Sequence, residues 1–212
     1  MLKNRLYFHA LAMLGALIFS GSLARASVLF SGDVAISVSD PTQLGRLSRN
    51  GIPQDWSGQE PYPGSINATT SYHYTTVSVF VPNWFPFLQI SLDSENTNIF
   101  GSAYDTSYNP VTGLDVNWLG DAGGSGNIFG NPLFFQVFAQ TAFATPSGGL
   151  VVIVLNQTST GTAGLNSPVG LLVEGFSDTE FNEATPEPST WLLLGTGAAV
   201  MTIVNRRRGL VR

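Results

Sequence analysis

Cysteine is absent from all 212 residues. That excludes a disulfide framework, a lipobox and thiolate metal sites. Lysine occurs once, at Lys3, and the long stretch from Ser27 to Ala184 is almost without basic residues. It holds Arg46 and Arg49 against thirteen Asp and Glu, a net charge of −11. Such a body is repelled by nucleic acid and by anionic lipid, so no nucleic-acid partner is expected. Affinity for divalent cations is allowed by this charge but not demanded by it. Histidine is equally scarce, with His73 the only one beyond the N-terminal segment. Helical patterning is missing as well: nothing between Ser27 and Phe176 sustains a 3.6-residue apolar period.

What is present reads as strands. Val34, Ile36 and Val38 alternate with Asp33, Ala35, Ser37 and Ser39. His73, Thr75, Val77, Val79 and Val81 share one face of a second run, with Tyr72, Tyr74, Thr76 and Phe80 opposite. Leu88, Ile90 and Leu92 alternate with Gln89, Ser91 and Asp93; Ile99–Tyr104 is short; Val169, Leu171 and Val173 close the series. Leu133–Ala139 and Leu150–Asn156 are nearly continuous apolar runs, the pattern of central strands. Short strands between Gly, Pro, Asn and Asp clusters predict an all-β body over residues 27–176. The expected form is a single antiparallel β-sandwich, jelly-roll-like, of about eight strands. Two long connections, Asp40–Asn67 and Asn117–Pro132, interrupt it, and loops of that length are often functional. Residues 177–187 form an acidic linker.

Both ends carry sorting signals. Lys3 and Arg5 precede an apolar stretch, Ala10–Phe19, and Ala24-Arg25-Ala26 fits the small-x-small cleavage rule. Residues 1–26 are therefore read as a signal peptide cut by signal peptidase, with Ser27 opening a mature chain that runs to about Pro188. At the other end, Pro186-Glu187-Pro188 is followed by an apolar run from Trp191 through Leu192, Leu193 and Leu194 to Val204, and then by Arg206, Arg207 and Arg208. The prolines hold the segment around Glu187 extended, the form in which proteases bind substrate. A 14-residue helix spans roughly 21 Å, less than a bilayer core of about 30 Å, so it suits transient inner-membrane anchoring better than a permanent span. The arginines stay cytoplasmic by the positive-inside bias, which leaves the body outside.

These three parts in order, over residues 186–212, resemble the PEP-CTERM sorting signal of Gram-negative bacteria. The resemblance implies recognition by an exosortase-like membrane protease or transpeptidase. That enzyme would cut near Pro186-Glu187-Pro188, remove the helix, and pass the body to the periplasm, the outer surface or the exopolysaccharide matrix. Similar tails are also called ice-binding-protein C-terminal regions, a description of the tail that gives no ice-binding activity to this body. The body itself resembles a recurrent secreted bacterial β-domain through Ser39-Asp40-Pro41-Thr42-Gln43, Gly45-Arg46-Leu47, Tyr72-His73-Tyr74, Trp118-Leu119-Gly120-Asp121-Ala122-Gly123 and Leu172-Val173-Glu174-Gly175-Phe176. That likeness brings no enzymatic activity with it.

Candidate chemistry in the body is thin. Gly120–Gly130 is glycine-rich but lacks the Lys-Ser/Thr ending of a phosphate loop, so it reads as a sandwich loop. Asp93, with Glu95 and Asn96 beside it, offers oxygen ligands without the Gly and distal Glu of an EF-hand, and reads as a polar turn. Asp40 and Asp121 fall in the two long connections; they could hold Ca²⁺ together, though each is also explained as a turn-former. No flanking sequence picks out a glycosidase-type carboxylate pair. His73 has no nucleophile elbow to serve, since Gly-x-Ser-x-Gly does not occur. Trp56, Trp84 and Trp118 read as buried anchors of the sandwich rather than as a sugar platform. Asn67 and Asn156 open glycosylation sequons. No cofactor, metal site or catalytic residue is therefore assigned. The expected protein is a non-enzymatic envelope or matrix component associated with exopolysaccharide. A carbohydrate-binding module is the alternative and a secreted hydrolase the third reading.

Overall fold

In the computed structural model, residues 26–139 and 148–178 are described. Residues 1–25 of the expected signal peptide, most of the linker, Pro186-Glu187-Pro188, the apolar run and the arginines lie outside them. Nine strands form among the described residues: β1 (Ser27–Val34), β2 (Thr42–Leu47), β3 (Ser65–Pro82), β4 (Phe87–Asp93), β5 (Ile99–Asp105), β6 (Trp118–Ser125), β7 (Leu133–Phe138), β8 (Gly148–Gln157) and β9 (Val169–Phe176). They make one sheet in the order β1-β9-β4-β7 and a second in the order β2-β3-β8-β5-β6, antiparallel throughout. With β2 set aside, successive strands alternate between two four-stranded sheets, except that β5 and β6 are paired neighbours in one of them, which is the double Greek-key path of a jelly roll.

The core lies between the sheets. Val79 and Val81 of β3 and Ile153 and Leu155 of β8 meet Leu88 and Ile90 of β4 and Leu171 and Val173 of β9, all essentially free of solvent contact. The period-2 pattern of β4 and β9 follows directly, because one face of that sheet is core and the other is water. β8 is buried on both faces, which explains its continuous apolar run. Its outer side is covered by Tyr74, Tyr108 and Trp118, and Tyr108 packs at 4.6 Å from Tyr104 and 5.2 Å from Tyr74. The Tyr108 hydroxyl donates to the Gln43 side-chain carbonyl, and burial pushes the Tyr104 and Tyr108 phenols far above the usual range.

Several expectations need correction. The ninth strand is β2, hidden in the connection Asp40–Asn67, whose last residues already belong to β3. β2 is marked by few apolar residues and a bulge at Gly45, so its period is masked. The second connection is not a loop either, because β6 occupies Trp118–Ser125. β7 is an edge strand rather than a central one, and it alternates, with Phe134 54% exposed. The alternation at Val34, Ile36 and Val38 continues past the end of β1: Ile36 makes a lone bridge to Leu165, and Val38 faces solvent.

The glycines of β6 mark close approach, not looseness. A Cβ at Gly120 would lie 2.6 Å from the Gln54 side chain, and one at Gly123, whose φ is +64°, would lie 2.4 Å from the backbone of Ile52. The segment that presses on them closes the sandwich. Gln54 N–H donates to the Asp121 carbonyl of β6 at 3.0 Å, and the Gln54 carbonyl accepts from Gln136 N–H of β7 at 2.8 Å. One residue thus occupies the open edges of both sheets, where unpaired backbone would otherwise invite aggregation. Gln54 is held there by its own side chain, which donates to the carbonyls of Asp55 and Gly58 and accepts from Glu60 N–H.

β1 begins at Ser27, paired with Gly175. Cleavage after Ala26 therefore leaves the first strand whole. N-terminal sequencing of the exported protein is expected to begin at Ser27; an intact Met1 on the envelope-bound form would mean that the N-terminal segment is an anchor.

Candidate functional site

Two places in the body bring polar side chains together. The first is a crevice under the closing segment, lined by Gln54, Glu60, Trp118 and Asp121 and too narrow to hold a water molecule. Asp121 is 3% exposed, and its Oδ1 accepts from Gly123 N–H at 2.8 Å. Burial raises its carboxyl to about 6, the Gly123 hydrogen bond works against that rise, and the Glu60 charge adds to it. The buried indole N–H of Trp118 makes no hydrogen bond of good geometry, yet it lies close enough to favour the charged form of Asp121. The carboxyl is shut off from solvent, so its raised pKa bears on stability.

The second is the outer face of the sheet β1-β9-β4-β7. Directly opposed residues of an antiparallel pair share a face, so three rows can be read from the register. Glu174, Gln89 and Gln136 form one row, joined side chain to side chain at 3.5 and 3.0 Å. Ser31, Leu172, Ser91 and Phe134 form the next. Asp33, Gly170 and Asp93 form the third, where the missing side chain of Gly170 leaves a notch between two exposed carboxylates. Two adjoining hollows of about 300 and 450 Å³ open there, and both are lined by Asp33, Asp93 and Gly170. Asn127 donates its side-chain amide to Asp93 Oδ1 at 2.8 Å and to Glu95 Oε1 at 3.2 Å, which fixes both carboxylates at the rim.

The other sequence candidates are dispersed. Asp40 caps a turn, its Oδ2 accepting from Ser37 N–H at 2.7 Å, while its carbonyl meets Nδ1 of His73 at 2.9 Å. His73 is thereby tied to a backbone carbonyl, not to a serine or a carboxylate. Asp40 is used in its own turn and Asp121 is buried in β6 with its Oδ1 on Gly123 N–H, so each is explained by its local hydrogen bonds rather than by a shared ion; Asp93 ends β4, and among the described residues no three His, Asp or Glu are grouped to hold a metal. Trp56 and Trp118 are the expected anchors, Trp56 stacking edge-on against Phe87 and Phe176 at 5.7 and 5.1 Å. Trp84 departs from that expectation and is 61% exposed. The sequon at Asn156 is buried in β8, whereas Asn67 is open to solvent. The outer-face rows went unnoticed in the sequence because only the cross-strand register assembles them. The one local signal was Asp93 at the end of an alternating run.

Ala26, the residue before the expected cut, and Ser27 lie at the start of the described body, while the remaining sorting residues fall outside it. For those, comparison with known families is decisive: residues 184–208 match the model of the PEP-CTERM protein-sorting motif. The tail is a PEP-CTERM sorting motif. The matched span includes Pro186-Glu187-Pro188 and runs through Arg208. A PEP-CTERM motif marks an exported protein that an exosortase sorts through the membrane. No curated protein matches the chain. Among solved structures, a family 29 carbohydrate-binding module from Piromyces equi is similar over 74% of this chain and 93% of that chain, at 9% identity and a TM-score of 0.31. Nothing about ligand follows from a likeness at that level.

Proposed function

We propose that this protein is a non-enzymatic β-sandwich of the outer surface or extracellular matrix, held briefly in the inner membrane by its tail and then released to associate with exopolysaccharide. The observation that carries this reading is the PEP-CTERM motif attached to an acidic, cysteine-free body. Signal peptidase acts first, at Ala24-Arg25-Ala26, and an exosortase acts second, at Pro186-Glu187-Pro188. Absence of catalysis is supported by the placement of the candidate acids and base. Among the described residues, the carboxyl with a raised pKa, Asp121, is buried beneath the closing segment, and His73 faces a backbone carbonyl. The reading as a carbohydrate-binding module is favoured by one feature, the open polar face of β1-β9-β4-β7 with Phe134 at its edge. Hydroxyl-rich chains are recognised by such mixtures of fixed hydrogen-bonding groups and apolar rings.

The sorting step is tested by replacing Pro186 and Pro188 with alanine. Alanine is about 3 kcal/mol better than proline inside a helix, so the apolar helix can extend upstream through Glu187 and the extended cleavage segment is lost. Full-length protein is expected to accumulate in the inner membrane with Arg206–Arg208 in the cytoplasm. Replacing the three arginines by serine is expected instead to weaken orientation and retention. Normal release of the double-proline variant would rule out the motif as the recognition element.

A further inference from the structure

The body is so acidic that the chemistry of any polysaccharide on its outer face is constrained. Taking the proposed association with polysaccharide as given, we propose that the notch at Gly170 binds a chain bearing free amino groups, a polymer of the deacetylated hexosamine kind. Asp33 and Asp93 flank the notch from β1 and β4, with one strand between them, so their Cα atoms stand roughly 10 Å apart. That is too wide for one metal ion to bridge and suits two successive cationic groups on an extended chain. Asn127 pins Asp93 and Glu95 with a single amide group, and each carboxylate retains further acceptor capacity for a ligand donor. No arginine lines either hollow, so a uronate or sulfated chain would meet only like charge. Phe134, one row along the same face and directly opposite Ser91, supplies an exposed ring for the apolar face of a sugar.

Gly170 is what makes the notch. Its backbone is one any residue adopts, and a Cβ there would lie 3.3 Å from that of Asp93 and 3.9 Å from Asp33 Oδ1. A larger side chain would point outward and fill the space without touching the core. Calorimetry with the processed, exported protein is the test, using a glucosamine hexamer, its N-acetylated counterpart and a galacturonate hexamer as probes. The glucosamine hexamer is expected to bind about tenfold more tightly than the N-acetylated one, with affinity falling as salt rises and none detectable for the uronate. Asp33→Asn with Asp93→Asn is expected to remove that about tenfold preference. Gly170→Leu is expected to abolish binding while the melting temperature holds, and if that variant fails to fold, Phe134→Ala serves in its place with a weakened affinity expected. Equal or better binding of the N-acetylated or uronate probe overturns the amine assignment and leaves the association with polysaccharide standing. Binding of no probe overturns the notch as a glycan site, with sorting judged separately by the fate of the tail. Glucosamine binding untouched by Gly170→Leu in a folded protein places the ligand elsewhere and refutes the site.

Discussion

Replacing Gly123 by alanine is expected to destabilise the body by at least about 3 kcal/mol and to open the sandwich along β6 and β7. Two costs combine. The φ of +64° is strained for any residue with a Cβ, and that Cβ would sit 2.4 to 2.7 Å from three backbone atoms of Ile52. Backbone cannot rotate away as a side chain can, so residues 51–54 must shift. The shift breaks the hydrogen bond from Gly51 N–H to the Gly123 carbonyl, and with it the Gln54 bonds to β6 and β7. A loss of that size is a large fraction of a typical domain's stability of about 5–15 kcal/mol. Urea unfolding of the exported body measures it directly. Gly130→Ala is the matched control, because it too has positive φ, +76°, but nothing lies within 4 Å of its added Cβ. Equal losses in the two variants would mean that Gly123 contributes only backbone freedom and that the closing segment is dispensable.

Asp121→Asn is expected to stabilise the body at neutral pH and to leave it unchanged near pH 4. Burial raises the folded carboxyl to about 6 from its ordinary 3.8. Below the lower value the group is protonated in both states and costs nothing. As pH rises from there to about 6, the unfolded chain releases the proton while the folded chain keeps it, so stability falls through that window. Above it the full cost remains, about 3 kcal/mol. Asparagine keeps an oxygen for Gly123 N–H and removes the charge. The variant should therefore melt roughly 6–12 °C above the parent at pH 7.5 and coincide with it at pH 4. A difference independent of pH would show that the carboxyl is not ionised at a cost in the folded protein.

The strands with one wet face were legible in the sequence because their apolar residues alternate: β4 and β9 lie where the pattern puts them. β8 was legible as a central strand because both its faces are covered. β2 and β6 were not, and for the same reason. In both, most buried positions are not apolar side chains: β6 carries glycines where its partners approach closely, and β2 buries Gln43 and Arg46 and breaks its period with the bulge at Gly45. β7 looked central because Phe134 adds an outward apolar residue to an edge strand. Asp121 illustrates the limit for sites: read as a turn-former in a loop, it is a buried strand residue, and no local signal separates the two. The notch at Gly170 depends on three strands distant in sequence being brought into register. The sorting tail, by contrast, is a linear motif, and its family was legible in the order of its residues.

The central claim is that the PEP-CTERM motif is removed when the body is delivered, and intact mass of the surface-bound or released protein from the native host tests it most directly. The expected mass corresponds to a chain that begins at Ser27 and ends near Pro188, without the segment Trp191–Arg212. A surface protein that still carries Trp191–Arg212 would contradict the account and make the tail a plain membrane anchor.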